Sequence, residues 1–191
     1  MRVAVAFDHR GVKLRERLLQ ELAALGHETV DLGTDKPEPR IDYPDKAREV
    51  AEAIRLGAAE RALFVCGSGV GAAVAANKVA GIRAAICHDT YSAHQGVEHD
   101  DMNVLCLGSE VVGAELAAEL ARVFLAARFD GGDRYVRRLE KIKEACNRIK
   151  KQAMSGMRAT DKLLRQYPYS SLGFAFGLGV LTAVLVQKAR K

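Results

Sequence analysis

A cysteine stands directly before a run of glycines in the segment VCGSGVG, where Cys66 is followed by Gly67, Gly69 and Gly71. A cysteine in this position could be a small buried residue, a nucleophile that attacks phosphate, or an acid/base group beside an anion-binding turn. The surrounding residues help to separate these possibilities.

Two chemistries that use a glycine-rich loop do not fit the spacing. A phosphatase-type cysteine is followed by five residues and an arginine, so that one loop both attacks and binds the phosphate, but here the arginine position holds Ala72. A dinucleotide-binding loop reads G-x-G-x-x-G, whereas this loop reads G-x-G-x-G and follows a third strand. Both interpretations are therefore weak.

The third chemistry is proton transfer beside an oxyanion. Backbone N–H groups at a glycine-rich turn that enters a helix point towards one spot, and the helix N-terminus favours negative charge there. A thiolate next to such amides suits removal of a proton adjacent to a carbonyl, because the resulting enediolate oxygen needs stabilisation. From this segment alone, a buried structural cysteine remains the alternative.

Three further polar clusters bear on the choice. FDHRG places Asp8 and His9 at the end of the first predicted strand, and EHDDMN places a histidine and two acids before the fifth. A basic cluster follows the turn DGGD. Each has an ordinary structural explanation, but together they offer an acid/base, polar groups for a sugar ring and cations for a phosphate. The residues of the last two clusters are His99, Asp100, Asp101, Arg134, Arg137 and Arg138.

The elements that must position these residues alternate along the first 130 residues. Apolar runs predict strands at 2–8, 28–33, 61–67, 82–88 and 104–109, and helical periodicity predicts helices at 12–25, 43–56, 71–79, 91–98 and 113–127. This alternation predicts a doubly wound α/β fold: a mainly parallel, five-stranded, Rossmann-like sheet with helices on both faces. Ligands bind such sheets at the carboxyl ends of the strands, where Asp8, His9 and Cys66 fall.

Charge and cysteine content narrow the function classes. The formal net charge is +5, but residues 1–133 are net acidic, so the excess of lysine and arginine lies beyond them. This asymmetry argues against a nucleic-acid binder and for a local basic segment that faces phosphate or lipid.

Four cysteines without a CxxC pair, and no signal-peptide pattern at the N-terminus, favour free thiols and a cytoplasmic domain. The five histidines show no paired ligand spacing, so neither a metal nor another cofactor is expected.

The C-terminal third predicts an appendage to the domain. We expect a folded domain at 1–152, with a last helix from Arg134 to about Gln152, then a basic linker at 153–168, an apolar segment at 169–187 and a basic tail at 188–191. The apolar segment is just long enough for a membrane-spanning helix, which would tether the domain to an inner membrane and bring basic residues near anionic lipid. The alternative is a helix that packs against protein.

At this point the chain resembles the ribose-5-phosphate isomerase B family, which includes the galactose-6-phosphate isomerase subunits. The matching segments run in family order across about residues 1–150: AFDHRG, DLGT, DYPDKA, VCGSGVG, AANKVAGIRAAIC, YSA, EHDDMNVLCLGS, VVG and FDGG. The resemblance implies a sugar-phosphate isomerase domain at 1–152 that needs no cofactor. It also implies a homodimer or homotetramer whose sites draw on two subunits.

The resemblance also implies residue roles. Cys66 would move a proton between C1 and C2 of the sugar, with Ser68 as a polar helper. His99 would assist opening of the furanose ring, at the site of a neighbouring subunit. The remaining substrate contacts implied are Asp8, His9, Tyr43, Asp100, Arg134 and Arg138, with the amides of Gly67, Gly69, Val70 and Gly71 holding the enediolate.

Three departures from the family pattern leave the substrate open. Asp100 stands where an asparagine is usual, Glu110 stands where an arginine is frequent, and the basic cluster is one residue longer, so that Arg134 and Arg137 compete for one role. The leading hypothesis is interconversion of D-ribose 5-phosphate and D-ribulose 5-phosphate. The alternatives are a six-carbon substrate, such as allose 6-phosphate or galactose 6-phosphate, and a non-catalytic membrane-anchored binding protein on the same fold.

Overall fold

Five parallel strands form one sheet in the order β2-β1-β3-β5-β4. The computed structural model describes residues 1–166, without the side chains of residues 146, 149–154, 156–160 and 162–166. The whole sheet lies in a unit formed by Met1–Leu139, and a second unit begins at Glu140. The strands are β1 (Arg2–Phe7), β2 (Glu28–Asp31), β3 (Arg61–Cys66), β4 (Ala84–Ile86) and β5 (Val104–Gly108).

Six α-helices accompany the strands in the described part of the chain. A 3-10 turn, Gly11–Leu14, precedes the first of them. The helices are α1 (Arg15–Ala24), α2 (Tyr43–Arg55), α3 (Val70–Ala76), α4 (Thr90–Asp100), α5 (Ala114–Ala126) and α6 (Asp133–Gln166).

Each face of the sheet is covered by its own apolar core. Alternate residues of the central strands point to opposite faces, so that Val5 packs with α1, α4 and α5, while Ala6 packs with α2 and α3. The strands can be apolar almost throughout because helices cover both sides. This arrangement confirms the predicted doubly wound, five-stranded parallel fold.

Several element boundaries differ from the sequence prediction, and those of β4 and α6 are two of them. The edge strand β4 covers only Ala84–Ile86, which pair with β5, and not 82–88. Ile82 and Cys87 are buried outside the strand, so the apolar run is longer than the strand itself. Helix α6 continues to Gln166, through most of the predicted linker at 153–168. The segment AMSGMRATDKLLRQ consists largely of helix-favouring residues, and one glycine does not outweigh them.

The predicted apolar segment at 169–187 and the basic tail at 188–191 lie outside the described residues. Within residues 1–166, no helix has the length and apolar character that crossing a membrane requires. The membrane anchor and its contact with anionic lipid therefore stay predictions.

Candidate active site

A pocket of about 360 Å³ opens at the carboxyl end of the sheet. It lies where the strand order reverses, since β1 pairs with β2 on one side and with β3 on the other. Three loops contribute to it: those that follow β1, β3 and β5. The lining residues are Asp8, His9, Arg10, Tyr43, Cys66, Gly67, Ser68, Gly71, Glu110 and Val111. We call this cavity the Cys66 pocket.

The first loop is organised by Asp8, whose side chain is buried. Its Oδ1 accepts hydrogen bonds from the backbone N–H groups of Arg10 (2.9 Å) and Gly11 (2.8 Å). This side chain therefore shapes the turn that presents His9 and Arg10 to the pocket. The Nδ1 atom of His9 is buried and has no hydrogen-bond partner among the described residues.

The second loop carries Cys66, which is only 4% exposed. The backbone N–H of Gly69 donates a hydrogen bond to Cys66 Sγ at 3.1 Å. Gly69 has φ +81°, a left-handed conformation that turns this N–H back towards the sulfur and that side-chain-bearing residues rarely adopt. This hydrogen bond holds the sulfur in a fixed position on the loop.

The same loop differs in one respect from the predicted cradle of amides. The amide of Gly69 is engaged by the sulfur, and the amide of Val70 donates to Ser68 Oγ at 3.3 Å. Neither Gly69 nor Val70 lines the Cys66 pocket, whereas Gly67, Ser68 and Gly71 do. Two of the four predicted amides thus organise the loop itself.

Close packing fixes the loop against its neighbours. A Cβ atom at Gly71 would lie 2.7 Å from Cζ of Tyr43, so the tyrosine ring lies directly on the loop. Tyr43 therefore lines the pocket, although 41% of it stays exposed, and its contact with substrate stays a prediction.

The other buried thiols of the sheet region have a different environment. Burial raises the pKa of Cys87 to about 11, and burial raises that of Cys106 further above its ordinary value. Neither lines the Cys66 pocket. Of these three cysteines, Cys66 is therefore the one that is placed for chemistry.

The third loop brings an acid to the pocket. Glu110 forms an ion pair with Lys13 at 2.6 Å. The hydrogen bond from Lys13, followed by the charges of Lys13 and Arg10, holds the pKa of Glu110 below its ordinary value. The carboxylate is therefore ionised at neutral pH.

A second polar cluster forms around Tyr135. The rings of His99 and Tyr135 stack with centroids 4.2 Å apart, and Gln95 Nε2 lies 2.5 Å from His99 Nδ1. The guanidinium of Arg134 lies 4.4 Å from the Tyr135 ring centroid and hydrogen-bonds the phenol oxygen. That of Arg138 lies 6.0 Å from the same centroid. Tyr135 was not predicted from the sequence, although its position between the arginines could have indicated it.

The structure does not bring this cluster together with Cys66 in one chain. His99, Asp100, Arg134 and Arg138 are absent from the described residues that line the Cys66 pocket. Asp100 is exposed at the end of α4. The acid that follows it, Asp101, caps the C-terminus of the helix with φ +50° and pairs with Arg83 at 2.5 Å.

Sequence reasoning did not assign Arg10, Glu110 and Val111 to the pocket lining. The first adjoins His9, and Glu110 stands at a departure from the family pattern, so both carried a signal. No cluster of three or more histidine, cysteine or acidic residues that could hold a metal occurs within residues 1–166.

Comparison with known proteins identifies the fold and the loops. The family model described as Ribose/Galactose Isomerase matches residues 3–142. The chain belongs to this family. It is 43% identical over 141 residues to ribose-5-phosphate isomerase B of Escherichia coli, a match that covers 74% of this chain and 93% of that protein.

Two further relatives show the range of the family. D-erythrulose-4-phosphate isomerase of Pectobacterium atrosepticum is 38% identical over 130 residues, which cover 68% of this chain and 86% of that protein. The structure of Clostridium thermocellum ribose-5-phosphate isomerase B superposes with a TM-score of 0.75 and 41% identity, over 78% of this chain and 99% of that one. The predicted enzyme class, a sugar-phosphate isomerase, is thereby confirmed.

Proposed function

We propose that this chain interconverts D-ribose 5-phosphate and D-ribulose 5-phosphate, with Cys66 as the base. The observation that carries the proposal is the placement of Cys66 Sγ on the glycine loop, within the pocket and held by the N–H of Gly69. The names of the Escherichia coli and Clostridium thermocellum relatives support the five-carbon substrate.

The proposed reaction moves one hydrogen between adjacent carbons. The thiolate of Cys66 removes the proton from C2 of the open-chain aldose, and the electron pair of that C–H bond forms a C1=C2 double bond. The carbonyl electrons move to O1, which gives an enediolate. The Cys66 thiol then returns the proton to C1, while the proton on O2 passes to O1 and a carbonyl forms at C2. No oxidant or reductant is consumed.

Ser68 and the pocket-facing amides serve the intermediate in this proposal. Ser68 is exposed on the pocket wall next to the sulfur, so its hydroxyl is free to turn towards O1 or O2. The amides of Gly67 and Gly71 are the pocket-lining members of the predicted set. Donors aimed at a developing oxyanion are worth about 10²–10³ in rate.

We infer that a second copy of the chain supplies the Tyr135 cluster. His99 would catalyse ring opening with the nitrogen that Gln95 does not hold, and Arg134 and Arg138 would bind phosphate. Support comes from what the Cys66 pocket lacks: its described lining includes His9, but neither His99 nor these exposed arginines. A homodimer with shared sites would complete it.

The test is turnover of ribose 5-phosphate by the full chain, followed as ketose formation. Cys66→Ala should lower kcat by about 10³-fold or more, because the proton acceptor is gone. Cys87→Ala is the matched control and should keep kcat near that of the original chain. Equal turnover by the original protein and Cys66→Ala would remove Cys66 from the mechanism.

The shared site has its own test in mixed oligomers. Cys66→Ala and His99→Ala should each be inactive, and mixing the two should regain activity, because some dimers then contain one intact site. No recovery, with exchange of subunits verified by mass, would contradict a site built from two copies.

A four-carbon sugar phosphate is the second candidate substrate. Glu110 places a carboxylate on the wall of the Cys66 pocket, and a relative acts on a four-carbon sugar phosphate. A panel of four-, five- and six-carbon aldose phosphates, compared by kcat/KM, decides the chain length. Turnover of any of them would exclude the non-catalytic binding protein.

A further inference from the structure

Arg10 is a basic residue that packs directly against the Cys66 loop. A Cβ atom at Gly67 would lie 2.9 Å from Cδ of Arg10 and 3.3 Å from its Nη1, so the arginine side chain lies flat against the backbone of residue 67. Glycine at this position is what permits the approach. The guanidinium is thus beside the residue that follows Cys66.

The backbone of Arg10 is fixed from both sides. Its N–H donates to the buried Asp8, and its carbonyl accepts a hydrogen bond from Ser109 Oγ at 3.0 Å. The latter bond ties the loop after β1 to the loop after β5. The arginine is therefore held at the junction of the three loops that form the pocket.

The side chain of Arg10 has no acid partner among the described residues, unlike several other arginines of the Met1–Leu139 unit. Within residues 1–166, no hydrogen bond or ion pair to its guanidinium is formed. Other arginines are engaged by nearby carboxylates: Arg15 by Asp31, Arg17 by Glu21 and Glu115, Arg48 by Asp45, Arg83 by Asp101 and Arg122 by Glu21. Arg10 is a cation with its donors available, and it lines a pocket.

The acid that could neutralise Arg10 is held by another residue. Glu110 lines the same pocket, but its Oε1 lies 2.6 Å from Nζ of Lys13. Lys13 stands three residues after Arg10, in the 3-10 turn Gly11–Leu14. The charge of Arg10 also acts on Glu110, but the hydrogen bond to this carboxylate comes from Lys13, so the N–H donors of Arg10 stay available to an incoming anion.

We propose that Arg10 binds the phosphoryl group of the substrate from the same chain that supplies Cys66, and that Lys13 is a positioning residue that keeps Glu110 away from Arg10. An arginine fork matches two phosphoryl oxygens at once, which a lysine cannot do. This inference rests on the proposed function, since it assigns a residue to the phosphate end of that substrate. It also gives the acidic residue at position 110 a defined place in the pocket.

Arg10→Gln tests the first part, with Arg55→Gln as control because Arg55 is exposed at the end of α2. For ribose 5-phosphate, Arg10→Gln should raise KM by about tenfold or more and change kcat much less. The KM of Arg10→Lys should lie between that of the original chain and that of Arg10→Gln. Arg55→Gln should change neither. A fall in kcat with KM unchanged would overturn the assignment.

Lys13 and Glu110 provide the second test. Lys13→Met should free Glu110 to pair with Arg10 and raise KM by several-fold, whereas Lys13→Met combined with Glu110→Gln should restore the original KM. If the KM of the double variant is as high as that of Lys13→Met alone, Lys13 acts without Glu110 and the positioning role is overturned.

Calorimetric titration with inorganic phosphate separates this inference from the proposed reaction, because it needs no turnover. Phosphate should bind the full chain, and Arg10→Gln should weaken it by about tenfold. If ribose 5-phosphate is not isomerised but Arg10→Gln still weakens the binding of phosphate, the proposed function fails and the inference stands. Equal phosphate affinity in the original chain, Arg10→Gln and Arg55→Gln overturns the inference.

Discussion

The two ends of the sheet each hold a cavity with arginines, but they use the guanidinium groups differently. The amino-end cavity, lined by Met1, His27, Glu60, Arg61 and Arg128, has a volume of about 540 Å³ and is larger than the Cys66 pocket at about 360 Å³. Its size and charge alone would make it the stronger candidate for an anion site.

Hydrogen bonding reverses that ranking. In the amino-end cavity, Arg61 donates to the carbonyls of Phe124 and Ala127, and Arg128 donates to those of Leu125, Ala126 and Ala127. These carbonyls end helix α5, where cations are expected. In the Cys66 pocket, Arg10 has no such partner within residues 1–166. Free donors, rather than volume, distinguish a binding site from a helix cap.

The largest expected difference between the two ends of the sheet comes from two glycines with positive φ, one in the Cys66 loop and one near the amino end of β3. Gly69 (φ +81°) would place a Cβ 3.2 Å from the backbone of Leu107, whereas Gly57 (φ +72°), near the amino end of β3, faces open space. Gly69→Ala should lower kcat by about 100-fold, because the loop must shift and Cys66 loses its N–H donor. Gly57→Ala should cost about 1 kcal/mol of stability and leave kcat unchanged.

Kinetics and urea unfolding measure both effects. If the two variants lose activity equally, the loop around Cys66 has no special dependence on Gly69.

The arginines provide the next largest effect, and it concerns stability. Arg61→Met should lower the free energy of unfolding by about 2 kcal/mol, because the carbonyls at the end of α5 lose a charged donor while kcat is retained. Arg10→Met should change that free energy by less than about 0.5 kcal/mol, since its guanidinium donates to no described group. Urea unfolding of both variants checks this. A stability loss in Arg10→Met equal to that in Arg61→Met would contradict the contrast between the cavities.

The smallest expected effects are changes in folding stability with pH, which have opposite sign for a cysteine at the carboxyl end of the sheet and a histidine at the amino end. Cys87, directly after β4, has its pKa raised by burial from 9.0 to about 11, so at alkaline pH the unfolded state loses a proton that the folded state keeps. Stability should therefore fall by about 1 kcal/mol between about pH 8 and pH 10, and less in Cys87→Ala.

At the amino end, burial followed by the nearby N-terminus and Arg128 lowers the pKa of His27. The unfolded state then binds a proton first, so stability should fall as the pH drops below the ordinary histidine value of 6.5, and less in His27→Gln. Unfolding curves across pH measure both arms. If the loss of stability at alkaline pH is unchanged in Cys87→Ala, groups other than Cys87 cause it.

Much of the sheet could be predicted because its strands are apolar runs between helical repeats. Covering both faces leaves Val3–Phe7 and Ala62–Cys66 buried throughout, so the pattern was unambiguous. The end of β4 was less clear, since apolar residues continue on both sides of a three-residue strand. The helical extent of α6 was not predicted, because helix propensity in a polar sequence without a clear apolar repeat is only a weak signal.

The site was predictable where the topology decides it. Asp8, His9 and Cys66 follow neighbouring strands, so the fold alone brings them to one pocket. Arg10 and Arg134 are equally basic in sequence, and only side-chain geometry shows that the first lies over Gly67 while the second lies on Tyr135. Composition could not show which of these two arginines lies beside Cys66 within one chain.

The crowding around the glycines of the Cys66 loop also limits how this enzyme can change. Side chains at Gly67, Gly69 or Gly71 would strike Arg10, Leu107 or Tyr43. The Cys66 loop thus has little room for variation, while positions 110 and 111 belong to another segment and line the same pocket. A mutant library confined to those two positions would explore new substrates without touching the residues that pack on the loop, and natural divergence of substrate range has the same route open to it.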